Sequence, residues 1–232
     1  MRDLSHRTRE EEWMDGADVT PAQMSACLHD LAQVNTLTLG RRPTLAWLAR
    51  VLRSCPPARP FTLIDVGAGE GDMLRAIAHW AARRGARARL TGYDLNPRCT
   101  DAARAATDPA LGIDYLVGDA TRTAVPADFI VSALVTHHMA DDAIVDFLAW
   151  MERTARLGWF VNDLHRNWFA YHGFALLSAV MRWHPFVRHD GPLSVARAFR
   201  KRDWAALLAR AGIVDAHVRW HFPFRLCVER LK

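Results

Sequence analysis

At 232 residues, half of them hydrophobic, the chain can bury a substantial core and suits one α/β domain with an elaboration. A net charge of +5 and a pI near 9.4 invite a nucleic-acid reading, but the cations are scattered and almost all arginine, Lys201 and Lys232 being the only lysines, so no basic RNA- or DNA-binding module is expected. Cys27, Cys55, Cys99 and Cys227 show neither a C-x-x-C pair nor zinc spacing, the opening residues lack the apolar stretch of an export signal, and Trp168 to Met181 falls short of the ~20 residues that cross a bilayer. A reduced, cytoplasmic setting without a membrane span is the expectation.

In chain order, Thr20-Pro21-Ala22-Gln23 has the form of a capping box with proline at the first helical position, and Met24, Cys27, Leu28, Leu31 and Val34 follow at helical spacing. Gly40 should end that helix, and Leu45, Leu48, Val51 and Leu52 mark a second one that stops before Pro56-Pro57. The prolines divide the chain into an N-terminal helical cap, residues 1–57, and a larger domain, residues 58–232. That domain opens with a buried strand, Phe61 to Val66, then a glycine turn and a helix carrying Met73, Leu74, Ile77 and Ala78. Further strands at Arg89 to Tyr93, Ile113 to Val117, Phe129 to Ala133 and Gly158 to Val161 alternate with helices near Cys99 to Ala106 and Ala143 to Met151. This order predicts a doubly wound, mainly parallel sheet covered on both faces. After the fifth strand come an apolar aromatic helix from Trp168 to Trp183, within an insertion over about 165–200, a helix near Asp203 to Ala211, and two strands, Val214 to Trp220 and Phe224 to Glu229.

The strongest motif runs from Leu63 to Asp72, where a strand ends in Gly67-x-Gly69-x-Gly71 with Asp65 inside it. Such glycines let a ligand approach backbone at the carboxyl edge of a sheet. A dinucleotide fingerprint would need glycine where Asp72 stands, and a pyrophosphate disfavours the nearby Asp65, Glu70 and Asp72, so a cationic ligand suits the loop better. Past the next strand Asp94 is placed to accept from both hydroxyls of a ribose, and past the third Asp119 and Ala120 could read an adenine edge.

With these three signals in register, the chain from Phe61 onward resembles the class I S-adenosylmethionine (SAM)-dependent methyltransferases, and among them small-molecule enzymes of quinone biosynthesis or those accompanying type III polyketide synthases. The resemblance implies a seven-stranded Rossmann-like sheet with an antiparallel last strand. It implies SAM as cofactor, with Asp65 and Gly67 near the methionyl amine, Asp94 at the ribose, and Asp119 with Ala120 at the adenine. Ala68, Gly69, Gly71, Leu95 and Ser132 complete the expected cofactor set.

Methyl transfer is an in-line displacement, so the acceptor side must align a nucleophile, exclude water and, for a phenol or acid, take a proton. His137 and His138 follow the fourth strand and His165-Arg166 the fifth, making the histidines candidate bases and Arg166 a candidate ligand for an acidic or enolate oxygen. Trp168, Phe169 and Tyr171, with Met14 from the other side, are candidate walls for a flat substrate. Asn162-Asp163 partly matches the metal ligands of catechol-type methyltransferases, but Ser132 and Ala133 offer no companion carboxylate and no metal is expected. The expected reaction is O-methylation of a small apolar or aromatic molecule by a monomer or homodimer. C-methylation of a quinone-type ring, a nucleic-acid methyltransferase and a non-catalytic cofactor-binding protein are the alternatives. The nucleic-acid reading is weakened by the absence of an N/D-P-P-aromatic turn or a cysteine after the fourth strand.

Overall fold

The computed structural model describes residues 2–16, 19–54, 59–123 and 125–232. The expected boundary at Pro56-Pro57 lies outside the described residues. Helix α1 (Pro21–Leu37) opens with the expected capping box, Thr20 Oγ1 accepting from the Gln23 amide at 3.3 Å and Gln23 Oε1 from the Thr20 amide at 2.9 Å. It ends before Gly40, and α2 (Arg42–Ser54) buries Trp47, Leu48 and Val51.

Strand β1 (Phe61–Val66), α3 (Asp72–Ala82), β2 (Ala88–Asp94), α4 (Pro97–Ala106), β3 (Ile113–Val117), β4 (Ala127–Ala133), α5 (Asp141–Thr154) and β5 (Ala155–Leu164) alternate as the sequence predicts. Then come α6 (Trp168–Val180), α7 (Pro185–Arg197), α8 (Lys201–Arg210), β6 (His217–His221) and β7 (Arg225–Leu231). The seven strands lie in the order β3-β2-β1-β4-β5-β7-β6. Pairs among β1 to β5 are parallel, while β7 runs antiparallel to β5 and β6.

Adjacent residues of the central strands enter opposite cores, as sheets covered on both sides require. Leu63, Phe129, Val131 and Phe160 pack with Trp47, Leu74, Ile77 and Trp80 on the α2/α3 face. Ile64, Ile130, Trp159 and Val161 pack with Ile144, Phe147, Leu148 and Trp204 on the α5/α8 face. The connections after β1 to β5 therefore share one edge, which is where such sheets bind ligands.

Helix α7 has no counterpart in the predicted elements. Gly191 and Pro192 interrupt its helical pattern, yet the tertiary setting holds it, with Val187, Leu193, Val195 and Ala196 buried. Cys27, Cys99 and Cys227 are buried free thiols. Among the described residues no helix is long and apolar enough to cross a membrane.

Candidate active site

A cavity of about 650 Å³ opens at the carboxyl edge of β1 to β5. Its floor is the loop after β1, with Gly67, Ala68, Gly69 and Glu70, joined by Asp94 and Leu95 after β2 and by Asp119 and Ala120 after β3. Its roof comes from Met14 on the N-terminal arm, Met24, Leu28 and Leu31 on α1, Phe174 on α6 and Ser194 on α7.

The glycine loop is shaped by close approach. Gly67 has φ 72°, and a Cβ there would stand 2.1 Å from Val135 Cγ2, so the turn after β4 can close over the loop only above glycine. Gly71, at φ 79°, precedes α3 with the Tyr115 hydroxyl where its Cβ would be. It shapes the turn and does not itself line the cavity. The Gly69 amide donates to Asp94 Oδ2 at 2.9 Å and the Asn96 amide to Oδ1 at 2.9 Å, which fixes the carboxylate and leaves each oxygen lone pairs for a diol. Asp119 accepts from the Thr121 amide at 2.9 Å and from its hydroxyl at 2.7 Å, and these bonds hold its carboxyl below the usual range.

Asp65 differs from both. Its carboxyl is 2% exposed, lines the cavity, and keeps Oδ1 without a hydrogen-bond partner among the described residues. Burial, reinforced by the charges of Asp72 and Asp94, pushes its pKa well above the ordinary carboxylate range. A buried carboxyl at a cavity wall, with one oxygen lacking a donor, is what a cationic ligand would complete.

In the turn after β4, Leu134 takes a left-handed φ of 61°, a strained conformation that here re-aims the chain into a 3₁₀ turn over Thr136–His138. Asp163, fully buried at the end of β5, receives the Thr136 hydroxyl, the His137 amide at 3.1 Å and the Leu164 amide at 2.7 Å. Its Oδ1 lies 2.7 Å from His137 Nδ1. Burial alone would raise this carboxyl, but the His137 imidazole and these hydrogen bonds outweigh it and hold the pKa far below the usual range. With Nδ1–H committed to Asp163, His137 presents Nε2 toward Glu12, 3.8 Å from Oε1. His138 Nε2 lies 3.9 Å from Glu12 Oε2.

Glu12, 3% exposed, accepts from the Ser194 hydroxyl at 2.8 Å and lies 4.0 Å from Arg197 Nε. The Glu12, His137 and His138 ligand atoms all lie within 4.8 Å of one another. One carboxylate and two imidazoles thus share this wall of the cavity, a donor set able to hold a cation or handle a proton.

The structure brings together Asp65, Gly67, Ala68, Gly69, Asp94, Leu95, Asp119, Ala120, His137, His138 and Met14 around this cavity. It places other expected residues elsewhere. Ser132 spends its hydroxyl on the Val66 carbonyl at 3.0 Å, between strands. Arg166 is buried away from the cavity, donating to the carbonyls of Leu4 at 3.0 Å and of Ala198, and to Asp203 at 2.9 Å, where it pins the N-terminal arm. His165 lies outside the cavity lining, its backbone forming a bridge with Phe199 and its Nδ1 lying 3.3 Å from Asn167 Nδ2, with burial and then Arg200, Arg166 and Lys201 lowering its pKa. On α6 the cavity is met by Ala170 and Phe174, while Trp168 and Phe169 are 51% and 70% exposed and Tyr171 also lies outside the lining. Sequence reasoning missed Glu12, Asn35, Arg41, Ser194 and Arg225, all cavity-lining. Glu12 stood in an acidic run, Glu10 to Glu12, and the others carried no motif.

Residues 63–158 match the family described as "Methyltransferase domain". That segment carries a methyltransferase domain. No curated protein matches the sequence. The fold of the chain is similar to that of the plantazolicin methyltransferase BpumL in complex with a triazolic desmethylPZN analog and SAH, at TM-score 0.67 and 13% identity over 88% of this chain and 89% of that one. It is also similar to magnesium protoporphyrin IX methyltransferase (ChlM) from Synechocystis PCC 6803 with bound SAH, at 0.56 and 14% over 84% of each chain. Human N-acetylserotonin methyltransferase in complex with SAM matches at 0.62 and 16%, over 92% of this chain and 56% of that one. At these identities the likeness establishes the fold.

Proposed function

We propose that this methyltransferase transfers the methyl group of SAM to an oxygen of a small, largely apolar or aromatic molecule of secondary metabolism. The carrying observation is one cavity rimmed at three successive strand ends by Asp65, Asp94 and Asp119, the first of them buried with an unpartnered oxygen. Asp65 would take the methionyl amine, Asp94 the ribose hydroxyls, and Asp119 with Ala120 the adenine edge. SAM supplies an electrophilic methyl on a sulfonium. Similarity to proteins named for plantazolicin, protoporphyrin and N-acetylserotonin supports a small-molecule acceptor.

The chain's own residues then have three tasks. Met24, Leu28, Leu31 and Phe174 line an apolar wall that orients a flat acceptor and excludes water. Asp163 fixes the tautomer of His137, whose Nε2 accepts the proton of an acceptor hydroxyl, and buried Glu12 stabilises the resulting imidazolium. Residues 1–57 act as a cap on the cofactor-binding domain of residues 58–232, and the insertion over about 165–200 closes the acceptor side.

Calorimetry with SAM and S-adenosylhomocysteine (SAH) tests the cofactor site. Asp94→Ala should weaken binding by about 1.5–3 kcal/mol through loss of charge-assisted hydrogen bonds. Wild-type protein that binds neither ligand would remove the basis of this reading. Turnover of phenols and polyketide-type hydroxyls, with the product's methyl located by NMR, tests the oxygen assignment. A methyl on ring carbon would assign C-methylation instead.

A further inference from the structure

Arg225, the first residue of β7, has no assigned task in the reaction. Its side chain is 3% exposed and lines the cavity, yet among the described residues its one side-chain hydrogen bond is a long one, Nη2 to Asn35 Oδ1 at 3.5 Å. Among the described residues no carboxylate oxygen lies within ion-pair distance of it. A buried guanidinium without an anionic partner is costly unless a ligand supplies one.

Its surroundings keep that position open. Gly40 leaves room for the guanidinium, since a Cβ there would stand 2.7 Å from Arg225 Nη2. Arg41 and Asn35 also line the cavity, Arg41 Nη1 lying 3.5 Å and Asn35 Nδ2 3.4 Å from Asp72 Oδ2. Asp72 and Asp163 act on Arg225 through space, but among the described residues neither is within ion-pair distance of its guanidinium, so its N–H donors lack an anionic acceptor.

We propose that Arg225, with Arg41 and Asn35, forms a carboxylate-binding site on the cavity wall. A planar guanidinium matches a carboxylate's two oxygens, and a buried one discriminates strongly against ligands lacking the anion. The proposal rests on the methyltransferase reading, which offers two sources of the group: the methionyl carboxylate of the donor, or an acid on the acceptor.

The test compares SAM with its decarboxylated analogue, which keeps amine and sulfonium, on wild type, Arg225→Met and Arg225→Lys by calorimetry. A donor carboxylate predicts that wild type prefers SAM by about tenfold or more, that Arg225→Met erases the preference, and that Arg225→Lys restores part of it. An acceptor carboxylate predicts no such preference. Instead, with SAH saturating, 4-hydroxybenzoate should bind more tightly than 4-hydroxybenzamide to wild type and equally to Arg225→Met. Should Arg225→Met fail to fold, Gly40→Ala, which crowds the guanidinium from outside, gives the same comparison. Wild type and variants indifferent to the carboxylate in both arms, while wild type still binds SAH, would overturn the site and leave the methyltransferase reading standing. Loss of SAH binding by wild type would overturn the latter.

Discussion

Replacing Asp65 by asparagine separates stability from cofactor binding. The carboxyl is fully buried, lacks a partner for Oδ1, and has its pKa pushed far up by burial and by Asp72 and Asp94. A raised folded-state pKa contributes stability that is complete below the unfolded pKa and is lost as pH rises toward the folded one. Between the two values the unfolded chain has released the proton that the native state retains, so stability should fall by about 1.4 kcal/mol per pH unit from this group. An asparagine side chain would mimic the protonated acid and be free of that loss. We expect Asp65→Asn and wild type to unfold alike in denaturant at about pH 3.5, and to diverge as pH rises. Near pH 7 the variant should lead by at least about 1.4 kcal/mol, one pH unit of that slope. SAH binding should weaken, and wild-type binding should release a proton as the methionyl amine draws Asp65 into its ionised form, a quantity read from calorimetry in buffers of different ionisation enthalpy. A variant less stable than wild type at pH 7, or stability profiles that run parallel across the pH range, would refute this account.

Asp163→Asn should cost about 2–4 kcal/mol of stability by disrupting a buried network and, with His137 no longer oriented, lower kcat by about 10²–10⁴ while leaving SAH affinity within a few-fold, as stopped assays and calorimetry would show. Arg166→Met should cost about 2–4 kcal/mol in chemical denaturation because the carbonyls of Leu4 and Ala198 lose a donor, and should not reveal a lost anion contact to acceptor in the residual activity. On α6, Phe174→Ala should raise the acceptor's KM by about tenfold, whereas Phe169→Ala, at an exposed position, should leave kinetics and melting temperature nearly unchanged.

The fold was legible because its strands read as short apolar runs and its helices as periodic ones, with Gly and Pro at the joints. The buried strand Phe61–Val66 is the clearest instance. The meeting of Asp94 and Asp119 in one cavity was legible for a related reason: each stands just after a strand, so the order of elements alone brings them to one edge. Other cavity-lining residues obey no such rule. Glu12 reaches His137 through an arm of irregular backbone, and Arg225 reaches Asn35 across most of the sequence. The α6 aromatics were assigned to the cavity by composition, but a helix offers only one face to it, and Ala170 and Phe174 occupy that face. Arg166 has donors suited to an anion, yet four partners, the carbonyls of Leu4, Ser5 and Ala198 and the Asp203 carboxylate, engage them.

The two deepest carboxylates of the site illustrate how environment divides labour. Asp65 and Asp163 are both fully buried at strand ends, but Asp163 gathers a hydroxyl, two amides and an imidazole, while Asp65 leaves one oxygen unpartnered and has two acids nearby. The first is therefore locked as an anion whatever occupies the cavity, which suits the orienting of a base. The second is an anion in waiting, stabilised only when a cation arrives. A ligand that carries its own cation and anion, as the methionyl end of SAM does, would satisfy Asp65 and Arg225 together. Binding and charge state are then coupled: removal of Arg225 should blunt proton release from Asp65 as well as affinity, a link that would not exist if either residue served the scaffold alone.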